Sequence, residues 1–144
     1  MKREMITNYL VVDDDQINNM ICRKIIQRTI QGSEVQTFLD PDTALVYIKS
    51  SFSRKDAPKT IVFLDINMPA ITGWEFLESF ERFDTRVKES LIIFMLSSSV
   101  DPGDRQRALN NPYVVGYVEK PLTIEKILDL LEGIEKWPQN KKAC

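Results

Sequence analysis

The chain has 144 residues, 19 Lys plus Arg against 21 Asp plus Glu, and no histidine, for a formal net charge of -2. That length suits one domain with a real core, and 43% hydrophobic with 28% charged residues describes a globular chain rather than a disordered one. The mild acidity argues against general attraction to nucleic acid or a membrane surface. Without histidine the chain can build no Ser-His-Asp or Cys-His site, no His-containing zinc site and no phosphohistidine of its own.

In chain order, Tyr9–Val12 is a compact apolar strand candidate that ends in Asp13, Asp14 and Asp15. Ile17, Met20, Ile21, Ile25 and Ile30 recur near helical spacing and Gly32 stops that helix. Glu34–Phe38 reads as a second strand, and Asp40 with Pro41 as the N-cap and first residue of a helix through Ala44, Leu45 and Ile48. The polar stretch 51–59 is a surface loop. Thr60–Leu64, β-branched and apolar, predicts a strand buried on both faces. After the turn Met68–Gly73, a helix carries Trp74, Phe76, Leu77 and Phe80, and Leu91–Leu96 forms the fourth strand. Asp101 and Pro102 open a shorter helix to about Asn110. Val114–Val118 is the last strand, and Thr123 caps a helix through Ile127, Leu128, Leu131 and Ile134.

Five strands alternating with five helices call for an α/β fold with a doubly wound, five-stranded parallel sheet. Residues 1–137 are read as a single domain and 138–144 as a C-terminal tail. No apolar run approaches membrane-spanning length, and residues 1–9 have no signal-peptide core. Cys22 sits in an apolar-periodic stretch and Cys144 on the tail, so a disulfide between them is not expected. A reducing, cytoplasmic location is the expectation.

In open parallel sheets ligands bind beyond the carboxyl ends of the strands. Here Asp13, Asp14 and Asp15 follow the first strand, Asp65 the third, Ser97, Ser98 and Ser99 the fourth, and Lys120-Pro121 the fifth. Core packing alone asks for no such cluster. The first turn has three carboxylates and no glycine, so it repels a phosphate rather than cradling one. Several carboxylates in one low-dielectric cleft need a counter-ion. Magnesium, favoured by all-oxygen ligands, and the ammonium of Lys120 are the two remedies. Singly, each residue has a plain structural explanation: Asp15 as a helix N-cap, Asp65 as a turn cap, the serines as a turn, Lys120 as a solvated cation. Their shared position at strand ends is what favours a carboxylate placed to accept a phosphoryl group.

The segments Leu10–Asn18, Ile61–Leu77, Met95–Ser99 and Gly116–Pro121 together resemble the receiver domain of two-component response regulators, the CheY-like family. The motifs that carry it are the acidic pair, Asp65-x-x-Met68-Pro69 followed by Gly73, the serines ending the fourth strand, and Lys120-Pro121. The resemblance covers about residues 6–136. It implies a flavodoxin-like sheet of order 2-1-3-4-5 and Asp65 as phosphoacceptor. It further implies magnesium held by Asp14 and Asp65, by Asp13 mainly through water, and by the backbone carbonyl of Asn67. Lys120 would contact the phosphoryl group across a cis Lys120–Pro121 peptide. Ser97 is the implied switch hydroxyl and Tyr117 the implied switch aromatic, which turns from exposed to buried on phosphorylation.

The family's donor is a histidine on a sensor kinase or a histidine phosphotransfer protein, and a chain without histidine must take its phosphoryl group from such a partner or from a small donor such as acetyl phosphate. Such a protein catalyses its own magnesium-dependent phosphorylation and dephosphorylation but is otherwise no enzyme. Its output would be contact with a downstream protein through the fourth helix, fifth strand and fifth helix, with no nucleic acid or membrane, as a monomer or weak homodimer. The length leaves no room for an effector domain, so a stand-alone receiver is expected. The segment Asn110–Tyr113 and Trp137 flank the output face as candidate anchors. A haloacid-dehalogenase-type phosphatase would need an acid two residues after the nucleophile, where this chain has Asn67. The remaining rival is a receiver-fold interaction module that works without phosphorylation.

Overall fold

The computed structural model describes residues 6–98 and 101–142, with side chains from 135 onward outside the described residues. The elements run β1 (Asn8–Val12), α1 (Gln16–Thr29), β2 (Glu34–Phe38), α2 (Pro41–Ser51), β3 (Thr60–Asp65), α3 (Gly73–Glu81), α4 (Thr85–Ser90), β4 (Leu91–Ser97), α5 (Pro102–Asn110), β5 (Val114–Glu119) and α6 (Ile124–Lys142). All five strands pair in parallel in the order β2-β1-β3-β4-β5, as expected. β1 and β3 lie inside the sheet, and β3 is buried at every residue. This is the pattern that a continuous apolar, β-branched run dictates when helices cover both faces.

Two cores result. On one face Leu10, Val12, Val62, Leu64, Ile93 and Met95 pack with residues from α2 to α5. On the other, Tyr9, Val11, Ile61, Phe63, Phe94 and Leu96 pack with α1 and α6.

The caps follow the sequence. Asp15, Asp40 and Asp101 each accept a backbone N–H in the first turn of α1, α2 and α5, satisfying donors that a helix start leaves unpaired. Thr72 and Glu75 close a reciprocal capping box on α3. Gly32, at φ +77°, makes the left-handed turn after α1.

One expectation needs correction. The structure has six helices rather than five: α4 is a short helix that buries only Val87, and one apolar contact makes no periodic signal. On α1 the residues that reach the core are Asn18, Asn19, Cys22 and Ile26, whereas Ile17, Met20 and Ile21 are exposed. On α6, Leu128 is exposed and Leu130 buried beside Ile127. Where a helix carries apolar residues all round, spacing does not say which stripe meets the sheet. The α6 backbone is helical to Lys142. Ser99 and Cys144 lie outside the described residues, as does the side chain of Trp137.

The start of α3 is wedged against the end of β3. A Cβ on Gly73 would lie 2.7 Å from the Asp65 carbonyl oxygen and 2.8 Å from Met95 Cε. Met95 can swing aside, but the strand backbone cannot. Gly73→Ala is therefore expected to destabilise by about 1–3 kcal/mol, where a Gly-to-Ala change at a compatible site would stabilise. Urea unfolding checks this, and a variant as stable as wild type would mean that β3 and α3 can separate at little cost.

Candidate functional site

The carboxyl ends of β1, β3, β4 and β5 bring together Asp13, Asp65, Ser97 and Lys120. The ladder itself sets the alignment: the Lys120 backbone N–H donates to the Ser97 carbonyl at 2.9 Å, and the Asp13 N–H to Phe38 at 3.0 Å. The Lys120–Pro121 peptide is cis.

Asp13 is fully buried and well supplied with donors. Its Oδ1 accepts the Asp15 backbone N–H at 2.9 Å. Its Oδ2 accepts from Asn18 Nδ2 at 2.6 Å and Lys120 Nζ at 2.8 Å. Asn19 Nδ2 donates to the Asp13 carbonyl at 2.9 Å. Lys120 Nζ also lies 3.3 Å from Asp65 Oδ1, so one ammonium bridges two acids from different strands. The backbone N–H of Asn67 hydrogen-bonds the Asp65 carboxylate, which brings the loop after β3 to the site. Asp14 is exposed, yet its carboxylate joins those of Asp13 and Asp65, with one oxygen of each within 4.8 Å of the others.

The electrostatics are unbalanced. Burial pushes the Asp65 carboxyl up to about 6, the field of Asp13 adds to this, and Lys120 with the Asn67 amide opposes it. For Lys120, burial works against the charge, but the hydrogen bond to Asp13 and the fields of both acids outweigh it and hold the ammonium above its ordinary value. Three carboxylates against one ammonium leave two formal negative charges. A hard divalent cation matches both this deficit and the all-oxygen donor set.

Ser97 is buried at the end of β4, while Tyr117 is half-buried on β5, opposite Met95. The Arg105 guanidinium stands 6.0 Å from the Tyr117 ring centroid, tying α5 to β5. Asp15 is set apart from the acidic group: it caps α1, as expected. A groove of about 540 Å³ runs beside Asn19, Met20, Arg23 and Phe38 and touches none of the three carboxylates.

Sequence reasoning missed Asn18 and Asn19. Their signal was available: two amides sit at positions 18 and 19 on the helical face that continues to Cys22 and Ile26, and polar residues on a core face need partners. Cys22, buried beneath the site, has its thiol pushed up to about 12 by burial and by Asp13, and is unreactive.

A family model described as "Response regulator receiver domain" matches residues 9–132. The chain is similar to a solved two-component response regulator from Cytophaga hutchinsonii, with 32% identity and a TM-score of 0.82 over 92% of this chain and 99% of that one. It is also similar to a response regulator receiver protein from Dyadobacter fermentans, with 30% identity and a TM-score of 0.79 over 87% and 94% of the two chains. A probable methanogenesis regulatory protein of Methanothrix harundinacea is 25% identical over 89% of this chain and 81% of its own length. Sheet order, rim and match over nearly the whole chain agree, and the chain belongs to the response regulator receiver domain family.

Proposed function

We propose that this receiver accepts a phosphoryl group on Asp65 and changes its α5–β5–α6 surface in response, signalling by protein contact. The observation that carries the reading is the bridging of Asp13 and Asp65 by Lys120 beside the exposed Asp14, a constellation assembled from three strand ends. A carboxylate oxygen of Asp65 attacks phosphorus, the bond from phosphorus to the donor breaks, and its electron pair leaves with the donor group. Asp13, Asp14 and Asp65, with the backbone carbonyl of Asn67, would hold magnesium, which when bound neutralises charge on the phosphoryl oxygens. Lys120, already held between the two acids, turns its ammonium to a phosphoryl oxygen. Ser97 then hydrogen-bonds the phosphorylated side chain, and the room it vacates lets Tyr117 turn inward. Two states of one fold are re-weighted by a local charge change.

Donors are phosphohistidines on a kinase or phosphotransfer protein, or acetyl phosphate. Among the described residues no helix is long and apolar enough to cross a membrane, in keeping with action in the cytoplasm. The test is intact-mass measurement after incubation with magnesium and acetyl phosphate. One phosphoryl group per chain is expected, blocked by a chelator, with a change in Trp74 emission. Absence of any mass gain from small donors and phosphohistidine proteins alike would leave the phosphorylation-independent module as the better reading.

A further inference from the structure

Lys126 lies outside the acidic site, and the chemistry described above gives it no part. Its placement on α6 runs against ordinary helix design. Thr123 caps this helix by accepting the Lys126 backbone N–H at 3.2 Å, which puts Lys126 at the third helical position. A glutamate belongs there, as Glu75 shows at the matching position of α3. A cation in the first turn opposes the helix dipole. Yet the half-buried Lys126 turns its side chain back over the preceding loop. Its Nζ donates to the Glu119 carbonyl at 2.6 Å and to the Pro121 carbonyl at 2.9 Å. These are the two residues flanking Lys120. No carboxylate among the described residues pairs with this ammonium, although Glu125 and Asp129 share its helix.

We propose that Lys126 is a positioning residue for Lys120: by clamping the carbonyls on either side, it fixes the backbone from which the Lys120 ammonium reaches Asp13 and Asp65. This rests on the phosphoacceptor reading for its functional meaning, though the clamp itself does not. Lys120 has a long, flexible stem and spans two acids on different strands, and such a span is repeatable only if its Cα is held. The Lys120 N–H to Ser97 bond secures one side of that backbone, and Lys126 secures the carbonyls before and after it.

The test compares Lys126→Met, Lys126→Arg, Lys120→Met and the double variant Lys120→Met/Lys126→Met in the full chain. Beryllofluoride with magnesium serves as the phosphoryl mimic, and nitrogen-detected spectra report the lysine ammonium groups. Lys126→Met is expected to weaken beryllofluoride binding about tenfold and to broaden the Lys120 ammonium signal, with Lys126→Arg restoring most of both. The double variant should bind no more weakly than Lys120→Met, because Lys126 acts only through Lys120. Additive losses in the double variant, or an unchanged Lys120 signal in Lys126→Met, would overturn the proposal. If wild type itself bound no beryllofluoride, the phosphoacceptor reading would fail, and the ammonium spectra alone would decide the clamp.

Discussion

Asp65→Asn is expected to lose phosphoryl incorporation to background while gaining stability in metal-free buffer. Both effects follow from the same placement. The side chain ends β3, buried, with Asp13 close by and Lys120 shared between them. An amide there keeps the shape but cannot supply the nucleophilic oxygen. It also removes a charge that the site holds at a cost. The folded carboxyl sits at about 6, against about 3.9 in an unfolded chain. Between those values the folded state binds more protons, so wild-type stability falls as pH rises from about 4 to about 6 and stays lowered above that. Asp65→Asn should lack that slope and be more stable at pH 7 by about 1–2 kcal/mol, after allowing for solvent screening at the rim. Urea unfolding in chelator at several pH values measures it. A variant less stable than wild type at pH 7 would show that the ion pair with Lys120 outweighs the burial of the carboxylate. Labelling that survives in Asp65→Asn but is lost in Asp14→Ala would mean that the acceptor is Asp14.

Lys120→Met should lose stability instead. It leaves Asp13, one of the most buried polar groups in the domain, and Asp65 without their shared cation. Removing one partner of a buried ion pair is costly because the survivor stays charged in a poor dielectric. Lys120 keeps some contact with solvent, its side chain being 18% exposed, so about 2–3 kcal/mol is expected rather than the full buried value. Magnesium should recover most of this loss, since a cation at the carboxylates meets the same need, and it should stabilise the variant more than it stabilises wild type. The phosphorylation rate should drop by about a hundredfold, in line with loss of a preorganised charge at the reacting group. Unfolding with and without magnesium, together with single-turnover labelling, separates the two effects. Equal stability of Lys120→Met and wild type in chelator would show that the acids neutralise each other by sharing a proton.

The fold was readable because each strand is a dense apolar run and most helices begin on a recognisable cap: Asp15, Asp40, Asp101 and Thr123 all act as expected. The principal acids, Ser97 and Lys120 were readable because polar groups at strand ends stand out against such runs. What stayed hidden depends on orientation. The α1 sequence has isoleucines on several faces, and only docking against β1 and β2 decides that Cys22 and Ile26 go inward while Ile17 stays outside. Asn18 and Asn19 look like surface amides until their face is known. Lys126 looks like one more solvated lysine until its side chain is seen to bend back toward the loop.

The strand order has a consequence for the way the molecule comes together. One pair of sheet neighbours is not consecutive in the chain, β1 with β3, and the lysine after β5 meets acids after β1 and β3. Closing such long loops is slow and comes late in folding. A nascent or partly unravelled chain that lacks docked β5 has the acids but not their shared cation. On the proposed reading, efficient phosphoryl transfer belongs to chains whose sheet is complete, because Lys120 reaches the acids only from the docked end of β5.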